Sequence, residues 1–325
     1  MLLSVENLSV SFATRHGRVP VIRGVSFHID AGETLGVVGE SGSGKSVTGS
    51  AILRILPATA SIDSGRILFD GADLATARER ELRGFRGRRI GMIFQDPLAS
   101  LNPYLTIGAQ VAEGLRLHMG LSSDEARKAA IAELEAVGLP DAASRMNSHP
   151  HQFSGGQRQR IMIATALALR PGLLIADEPT TALDVTVQAQ ILELFKARQK
   201  ALGTAVMMIT HNLGVAAALC DRIQVMYAGM LMESGTAEDI LLRPAHPYTA
   251  ALRKSIPSGT SGRLFSIPGT PPAPGEAPEG CPFAPRCTFA KPECALCASP
   301  AEVSPGHVTL CGRVLRGDIE RNALA

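Results

Sequence analysis

The stretch that decides the fold is Gly39–Ser46, which reads GESGSGKS and fits the pattern G-x-x-x-x-G-K-[ST] at every fixed position. An apolar run, Leu35–Val38, precedes it. Glycines at these positions let successive backbone N–H groups turn inward around phosphate oxygens, and the helix that follows adds the positive end of its dipole. A glycine-rich turn with no ligand is the alternative, but it would not require every fixed position. The stretch therefore predicts a nucleoside triphosphate site built by Gly39, Glu40, Ser41, Gly42, Ser43, Gly44, Lys45 and Ser46, in which Lys45 supplies a charge and the Ser46 hydroxyl holds Mg²⁺.

Length and composition limit what surrounds this loop. A chain of 325 residues exceeds one average domain and suggests a large domain with a smaller one. A formal net charge of +2 and 4% aromatic residues give no compositional reason to expect nucleic acid. The first residues lack the basic start and apolar core of a signal peptide, and no apolar run is long enough to span a bilayer. We therefore expect a cytoplasmic protein.

Hydrophobic periodicity predicts an α/β chain. Alternation over 3–12 and 25–29 predicts two or three antiparallel strands that flank the main sheet. Thr106–Val137 has a helical pattern, with Ser122 and Glu125 forming a capping box. Met146–Phe153 is predicted to be a loop before a long helix that Pro171 closes. These segments suggest a helical insert.

Two polar segments follow predicted buried strands. Asp177 and Glu178 come directly after the apolar run Leu173–Ala176, at the carboxyl end of a strand, where ligands of open α/β sheets bind. Asp177 is suited to bind Mg²⁺ through a water molecule. Glu178 is suited to orient the water that attacks the γ-phosphate, or to accept its proton. An acidic surface turn is the alternative. Gln95 follows Ile90–Phe94 in the same way and is a further candidate for contact with the metal.

Two further segments are weaker candidates for contact with phosphate: one ends in a histidine, and the other contains two glycines. His211 follows the strand predicted over Ala205–Thr210, so it is a candidate for contact with the γ-phosphate, although a lone histidine is more often structural. Glycines in Ser154–Gln157 open a helix and weakly indicate a second anion site.

Five of the six cysteines crowd the end of the chain, at 281, 287, 294, 297 and 311. In a reducing compartment such a group suggests metal more than disulfides. Four thiolates match a [4Fe–4S] centre, while zinc and free thiols remain alternatives. Arg78–Arg89 holds six arginines and is typical of a solvated face; contact with anionic lipid or nucleic acid is the alternative.

Together these motifs resemble the ATP-binding subunit of an ABC transporter, over nearly the whole chain. Glu178 takes the place of the catalytic glutamate in that family, and His211 takes that of the switch histidine. The remaining correspondences are Gly39–Ser46 with the Walker A loop, Leu173–Asp177 with Walker B, Gln95 with the Q-loop, Asp184 with the D-loop, Phe12 with the aromatic residue that stacks on adenine, and Ser154, Gly155, Gly156 and Gln157 with the signature that completes the ATP site of a second subunit.

Narrower features resemble the dipeptide and oligopeptide importers within that family: Gln95–Pro103, His246–Thr249 and the proline-rich stretch that opens at Ile267. The resemblance implies a P-loop ABC-type ATPase over 1–255, with a parallel-sheet core, an antiparallel β subdomain and a helical subdomain over about 97–170. A small irregular Cys-rich region follows over 256–325. The cysteine pattern of the tail resembles that of some members of this group, in which the tail binds a [4Fe–4S] cluster. The resemblance implies that Cys281, Cys287, Cys294 and Cys311 would bind the cluster and that Cys297 would not.

The resemblance also implies partners and a location. The chain would lie on the cytoplasmic face of the inner membrane, beneath two permease subunits and an external peptide-binding protein, and would close head to tail with a second ATPase subunit, a paralogue rather than a copy. ATP and Mg²⁺ would be its cofactors, and it would not bind nucleic acid. Other possibilities are a soluble ABC-type ATPase of DNA repair or translation, a regulator with an inactive nucleotide site, and an importer of nickel chelates or glutathione.

Overall fold

A computed structural model describes residues 1–96, 100–180, 184–256, 265–296 and 299–324. The chain divides into two compact units. The first comprises Met1–Ile29, Thr34–Thr76 and Met208–Ala325, and the second comprises Asp30–Glu33 and Ala77–Met207. The predicted domain boundary at residues 255 and 256 stays a prediction.

An antiparallel sheet in the first unit confirms the strands that alternation predicts. It contains β1 (Leu3–Thr14), β2 (Gly17–Ile29), β4 (Ala60–Phe69) and β5 (Ala72–Asp73), in the order β2-β1-β4-β5. In the register of β1, Val5 lies opposite Phe27 on one side and Ile67 on the other. All three side chains are buried, so the apolar face of β1 forms a core with both neighbours.

The first unit also holds strands that place the phosphate loop. β3 (Thr34–Val38) is buried at every residue and pairs in parallel with β9 (Arg222–Tyr227). β9 pairs in antiparallel with the next strand, β10 (Met230–Thr236). The helices of this unit are α1 (Lys45–Ile52), α8 (Leu213–Leu219), α9 (Ala237–Leu242), α10 (Pro247–Lys254) and α11 (Gly312–Leu315).

The tail contains more regular structure than the small irregular region that the resemblance implies. β11 (Ala301–Ser304) and β12 (His307–Thr309) form a hairpin, and β12 pairs with β10. Val314, Ile319 and Leu324 then form a small core with Ala245 and Ala250. The tail therefore acquires regular structure by adding to an existing sheet and helix.

The second unit contains a parallel pair of strands and most of the helices. In its register, Ile90 of β6 (Ile90–Ile93) lies opposite Leu173 of β7 (Leu173–Asp177). β8 (Ala205–Thr210) is divided between the units at Met208. The helices are α2 (Glu79–Phe85), α3 (Ile107–Met119), α4 (Ser123–Ala136), α5 (Ala142–Arg145), α6 (Gly155–Leu167) and α7 (Val185–Leu202).

Helix ends follow local chemistry. The predicted capping box of Ser122 and Glu125 is present at the start of α4. The sequence also predicts a helix over Val185–Leu202 that Gly203 ends, and α7 has these bounds, with Gly203 at φ 65°. Two expectations need correction. The sequence predicts a helix over Lys45–Leu56 that Pro57 ends, but α1 stops at Ile52, since Arg54 adopts φ 50°. The predicted loop over 146–153 contains a 3₁₀ turn at Pro150–Gln152.

Within the described ranges, no helix combines the length and the apolar character that crossing a membrane requires.

Candidate functional site

The phosphate loop lies between β3 and α1 in the first unit, and close packing requires two of its glycines. A Cβ on Gly39 would stand 2.1 Å from the Met226 carbonyl oxygen. A Cβ on Gly44, which adopts φ 102°, would stand 2.5 Å from Cδ1 of Ile22. Any side chain at either position would push the loop away from β9 or β2.

Lys45 places its ammonium group at the centre of the loop. Nζ donates to the carbonyl oxygens of Gly39 at 2.8 Å and Glu40 at 2.9 Å, and to Oγ of Ser43 at 3.3 Å. The side chain is buried, so its charge acts in a poorly screened environment that favours an anion. Ser46 follows in the first turn of α1 and is exposed, as a hydroxyl that binds Mg²⁺ must be.

Asp177 ends β7 in the second unit, and Glu178 follows directly after the strand. Asp177 is buried and Glu178 is half-buried. Glu178 adopts φ 46° directly before Pro179, although a residue before proline favours extended backbone. Such a conformation costs about 1–3 kcal/mol and concentrates at functional sites.

The structure brings Gln95 to Glu178. The Gln95 Nε2 amide donates to Oε2 of Glu178 at 3.0 Å, across 83 positions of sequence. Both residues follow the parallel strands β6 and β7, whose carboxyl ends lie at one edge. This contact is consistent with the expectation that Gln95 and the end of β7 lie near the same metal ion.

Three other predicted residues lie at exposed or half-buried positions. His211 is exposed at the end of β8, and Phe12 is half-buried in β1. Asp184 caps α7, where its Oδ1 accepts from the Val187 N–H at 2.9 Å. The residues Thr181, Ala182 and Leu183 before it lie outside the described part of the chain.

The signature stretch forms the start of α6 in the second unit. Ser154 Oγ accepts from the Gln157 N–H at 3.3 Å, and Gln157 Oε1 accepts from the Ser154 N–H at 3.2 Å. A Cβ on Gly156 would stand 2.8 Å from Cγ1 of Val187. Ser154 and Gly155 are exposed, so the helix start is accessible to a ligand.

Four cysteines of the tail line one cavity of about 120 Å³: Cys281, Cys287, Cys294 and Cys311. His246, apolar side chains and three charged residues, Glu293, Arg313 and Arg316, line the same cavity. All four are free thiols. Within the described ranges, no group of three or more His, Cys, Asp or Glu side chains is arranged to hold a metal ion. The structure therefore gathers the predicted cysteines but does not form a ligand cage. Cys297 lies outside the described residues.

Burial favours the uncharged forms of three of these thiols and of His246. It raises the pKa of Cys281 to about 12 and lowers the pKa of His246 to about 3. The pKa values of Cys287 and Cys311 are also raised, first by burial. His246 Nε2 lies 3.9 Å from Sγ of Cys281. Metal binding would have to release the thiol protons.

The arginine run forms an exposed helix with its own carboxylates. Arg78 pairs with Glu81 at 2.7 Å, and Arg86 pairs with Glu79 at 2.6 Å, at the two ends of α2. These pairs are consistent with a solvated face, and exposed pairs of this kind contribute little to stability.

Sequence reasoning missed the partners of Glu40. Tyr248 Oη accepts from the Glu40 N–H at 2.9 Å, and Arg286 pairs with the Glu40 carboxylate at 2.6 Å. Both residues stand in motifs that the sequence displays, but nothing in their spacing indicates that they meet the phosphate loop.

Comparison with protein families gives two matches in this chain. Residues 22–181 match the model described as ABC transporter, and residues 232–294 match the one described as the oligopeptide/dipeptide transporter C-terminal region. The second match contains Cys281, Cys287 and Cys294.

Individual proteins are similar over most of the chain. The oligopeptide transport ATP-binding protein OppD of Bacillus subtilis is 52% identical over 293 residues, which cover 89% of this chain and 82% of that protein. The dipeptide transport ATP-binding protein DppD of the same organism is 49% identical over 324 residues, covering 99% and 92%. Among solved structures, a dimeric ATP-binding cassette in a post-hydrolysis state with ADP and phosphate is similar with a TM-score of 0.66 and 29% identity, over 73% of this chain and 99% of that one.

Proposed function

The chain belongs to the family of oligopeptide and dipeptide transport ATP-binding proteins of ABC transporters, and we propose that it hydrolyses ATP to power the uptake of such peptides. The observation that carries this proposal is the presence in one chain of both an ABC transporter match over 22–181 and a peptide-transporter C-terminal match over 232–294. The geometry of the phosphate loop agrees with the ATPase activity.

ATP binds at Gly39–Ser46, where backbone N–H groups and the Lys45 ammonium stabilise the β- and γ-phosphates. Phe12 offers a ring face to the adenine. Ser46, Asp177 and Gln95 would hold Mg²⁺, and the ion would neutralise charge on the phosphates. The donors fit this ion, since hydroxyl, carboxylate and amide oxygens are its preferred protein ligands.

Glu178 orients the attacking water and accepts its proton. The hydrogen bond from the Gln95 amide to Oε2 orients the Glu178 carboxylate. The strained backbone of Glu178 fixes where the carboxylate points. His211 contacts the γ-phosphate through a ring N–H.

Two ATPase subunits close head to tail around ATP. Ser154, Gly155, Gly156 and Gln157 then complete the nucleotide site of the other subunit, and Asp184 lies beside that interface. The exposed start of α6 supports this arrangement. Binding of ATP favours the closed dimer, and hydrolysis weakens it and resets the permease. The second subunit is a paralogue rather than a copy of this chain.

The assembly places the chain on the cytoplasmic face of the inner membrane, as a peripheral subunit of two permease proteins that receive peptide from an external binding protein. A strain that lacks this chain should stop accumulating a labelled peptide, and the wild-type chain should restore uptake. Restored uptake by a Lys45→Ala variant, or uptake that never depended on the chain, would contradict the proposal.

For the tail, we propose that Cys281, Cys287, Cys294 and Cys311 hold a [4Fe–4S] cluster with a structural or regulatory role. The cavity that the four thiols share supports this. A single zinc ion needs all its thiolates about 2.3 Å away, whereas the four thiolates of a cluster bind four different irons and stand farther apart. No compact metal-binding group is present among the described residues, so the support for the cluster is the cavity that the thiols share.

Protein purified without oxygen tests the cluster. It should be brown, with iron and acid-labile sulfide each near four per chain, as a [4Fe–4S] centre requires ~4 of each. Cys281→Ser should abolish the colour, while Cys297→Ser, its matched control, should retain it. Stoichiometric zinc without labile sulfide would show that the tail holds zinc instead.

A further inference from the structure

The tail contacts the phosphate loop through one arginine, Arg286. Its Nη1 lies 2.6 Å from Oε2 of Glu40, and its Nη2 lies 3.1 Å from Oε1. The two parallel contacts form a bidentate pair between a guanidinium and a carboxylate, the strongest geometry for such a pair. The Arg286 side chain is 5% exposed and the Glu40 side chain 25%, so solvent screens the pair poorly.

Arg286 is itself held in place by the first unit. Nε donates to the Pro268 carbonyl oxygen at 2.8 Å, and Nη1 also donates to Oη of Tyr227 at 3.1 Å. The guanidinium carbon lies 5.7 Å from the centre of the Tyr227 ring. These partners hold the Arg286 guanidinium group in place in the absence of a ligand. Little conformational entropy is therefore lost when it pairs with Glu40.

Glu40 transmits this restraint to the loop. Its N–H donates to Oη of Tyr248 at 2.9 Å, and its carbonyl oxygen accepts from Nζ of Lys45 at 2.9 Å. The same residue therefore contacts the tail through its side chain and the phosphate-binding lysine through its backbone. Arg286, Glu40 and Lys45 form one continuous chain of polar contacts.

The rings beneath these contacts make the support rigid. Tyr227 and Tyr248 have ring centres 4.7 Å apart, and Phe283 lies 5.5 Å from the first and 5.1 Å from the second. Phe283 stands three positions before Arg286, and the short 3₁₀ turn Ala284–Arg286 joins them. The tail is therefore anchored in the core of the unit where it meets the loop.

A second part of the tail approaches the same loop. Pro272, Pro274 and Gly275 line a cavity together with Gly42 of the loop and Arg23 of β2. The stretch from 267 to 286 thus borders Gly39–Ser46 at two places, through a charged contact at Glu40 and a proline-rich segment beside Gly42.

Charge explains why Arg286 matters for the ligand. Glu40 places a carboxylate within a loop that binds a triphosphate, and an unneutralised carboxylate there would repel it. Burial opposes the charge on Arg286, but hydrogen bonds to Glu40 and Tyr227 outweigh that cost, so the pKa of Arg286 is raised and the arginine stays charged. Removal of one member of a poorly solvated pair leaves the other uncompensated.

We propose that Arg286 is a positioning residue for ATP, which neutralises Glu40 and fixes the first half of the phosphate loop. The proposal rests on ATP binding at this loop. It makes the C-terminal tail a determinant of nucleotide affinity, in addition to any ligand that its cysteines hold.

Titration of the full-length chain with a fluorescent ATP analogue tests the proposal. Arg286→Ala should raise the Kd about tenfold, or about 1.4 kcal/mol. In the double variant Arg286→Ala with Glu40→Gln, most of this loss should disappear, because the stranded carboxylate is gone. A merely structural defect would not be rescued by removing a second polar partner.

Controls separate this inference from the proposed function. Arg243→Ala, which removes an arginine paired with Glu238 and Asp239 in the same unit, should leave the Kd unchanged. Lys45→Ala should weaken ATP binding whether or not Arg286 has the proposed role. If Lys45→Ala does not weaken ATP binding, the proposed nucleotide site is wrong. If Lys45→Ala weakens binding while Arg286→Ala leaves the Kd unchanged, only the role of Arg286 is overturned. The same holds if Glu40→Gln does not restore the Kd of the Arg286→Ala variant.

If Arg286→Ala does not fold, Arg286→Lys carries the test, because lysine cannot form the bidentate pair. A Kd about threefold higher supports the proposal, and an unchanged Kd overturns it.

Discussion

Among single residues, Glu178 carries the chemistry. It is half-buried, has a strained backbone at φ 46° and accepts a hydrogen bond from Gln95. Glu178→Gln keeps the shape of the side chain and an oxygen that accepts this hydrogen bond, but it removes the base. Turnover should therefore fall by at least roughly a hundredfold, the usual scale for loss of a positioned base, while the Kd for ATP stays near that of the wild type.

Steady-state ATP hydrolysis by the assembled transporter measures this effect. Glu135→Gln, which makes the same change at an exposed position of α4, is the control and should retain normal turnover. Normal turnover by Glu178→Gln would show that another residue activates the water.

Sequence identifies residues whose chemistry needs a fixed spacing, and misses those that meet only in the fold. Gly39–Ser46 is recognisable because phosphate binding requires its eight positions together. Arg286 and Glu40 are separated by 246 positions, and no spacing rule connects them. Glu178 falls between these cases: its place after β7 is predictable, whereas its left-handed backbone before Pro179 is not.

Among the elements, α4 and α6 provide a matched pair of helix starts in the second unit. Each opens with a capping box, formed by Ser122 with Glu125 in α4 and by Ser154 with Gln157 in α6. Ser122→Ala and Ser154→Ala should each lower the free energy of unfolding by about 1 kcal/mol. Only Ser154→Ala should also lower ATP turnover in the assembled transporter, because Ser154 faces the partner's nucleotide in the proposed dimer.

Urea unfolding and ATP hydrolysis, measured on both variants, separate the two effects. Equal losses of stability with equal turnover would mean that Ser154 acts only as a cap, and the proposed contact with the partner's nucleotide would then be wrong.

Element boundaries were predictable where the chain signals them locally. Gly203 ends α7 as predicted, and Ser122 begins α4 as predicted. The β11–β12 hairpin was not predictable, because β12 is three residues long and forms by pairing with β10, about seventy positions earlier in the chain. Long-range pairing of this kind leaves no periodicity in a proline-rich tail.

For the whole molecule, we propose that Gln95, at the Q-loop position, is the route by which the permease senses the nucleotide. Its amide contacts Glu178 at 3.0 Å. Gln95→Ala should leave the Kd for ATP within about twofold but uncouple hydrolysis from transport, because it breaks communication between two sites without removing a phosphate contact.

The ratio of peptide transported to ATP hydrolysed, in the reconstituted complex, reports this coupling. Gln190→Ala, at an exposed position of α7, is the control and should leave the ratio unchanged. Transport that falls only in proportion to ATP hydrolysis in Gln95→Ala would rule out the coupling role.

The central claim is that this chain converts ATP hydrolysis into peptide uptake, and one measurement tests it most directly. The chain, its partner ATPase, the two permease subunits and the peptide-binding protein are reconstituted in vesicles, and ATP hydrolysis and peptide movement are followed together. The account predicts that peptide raises the rate of hydrolysis, that peptide crosses the membrane only with ATP, and that Glu178→Gln in this chain reduces both. Peptide movement that is independent of ATP, or hydrolysis and transport unaffected by Glu178→Gln, would contradict it.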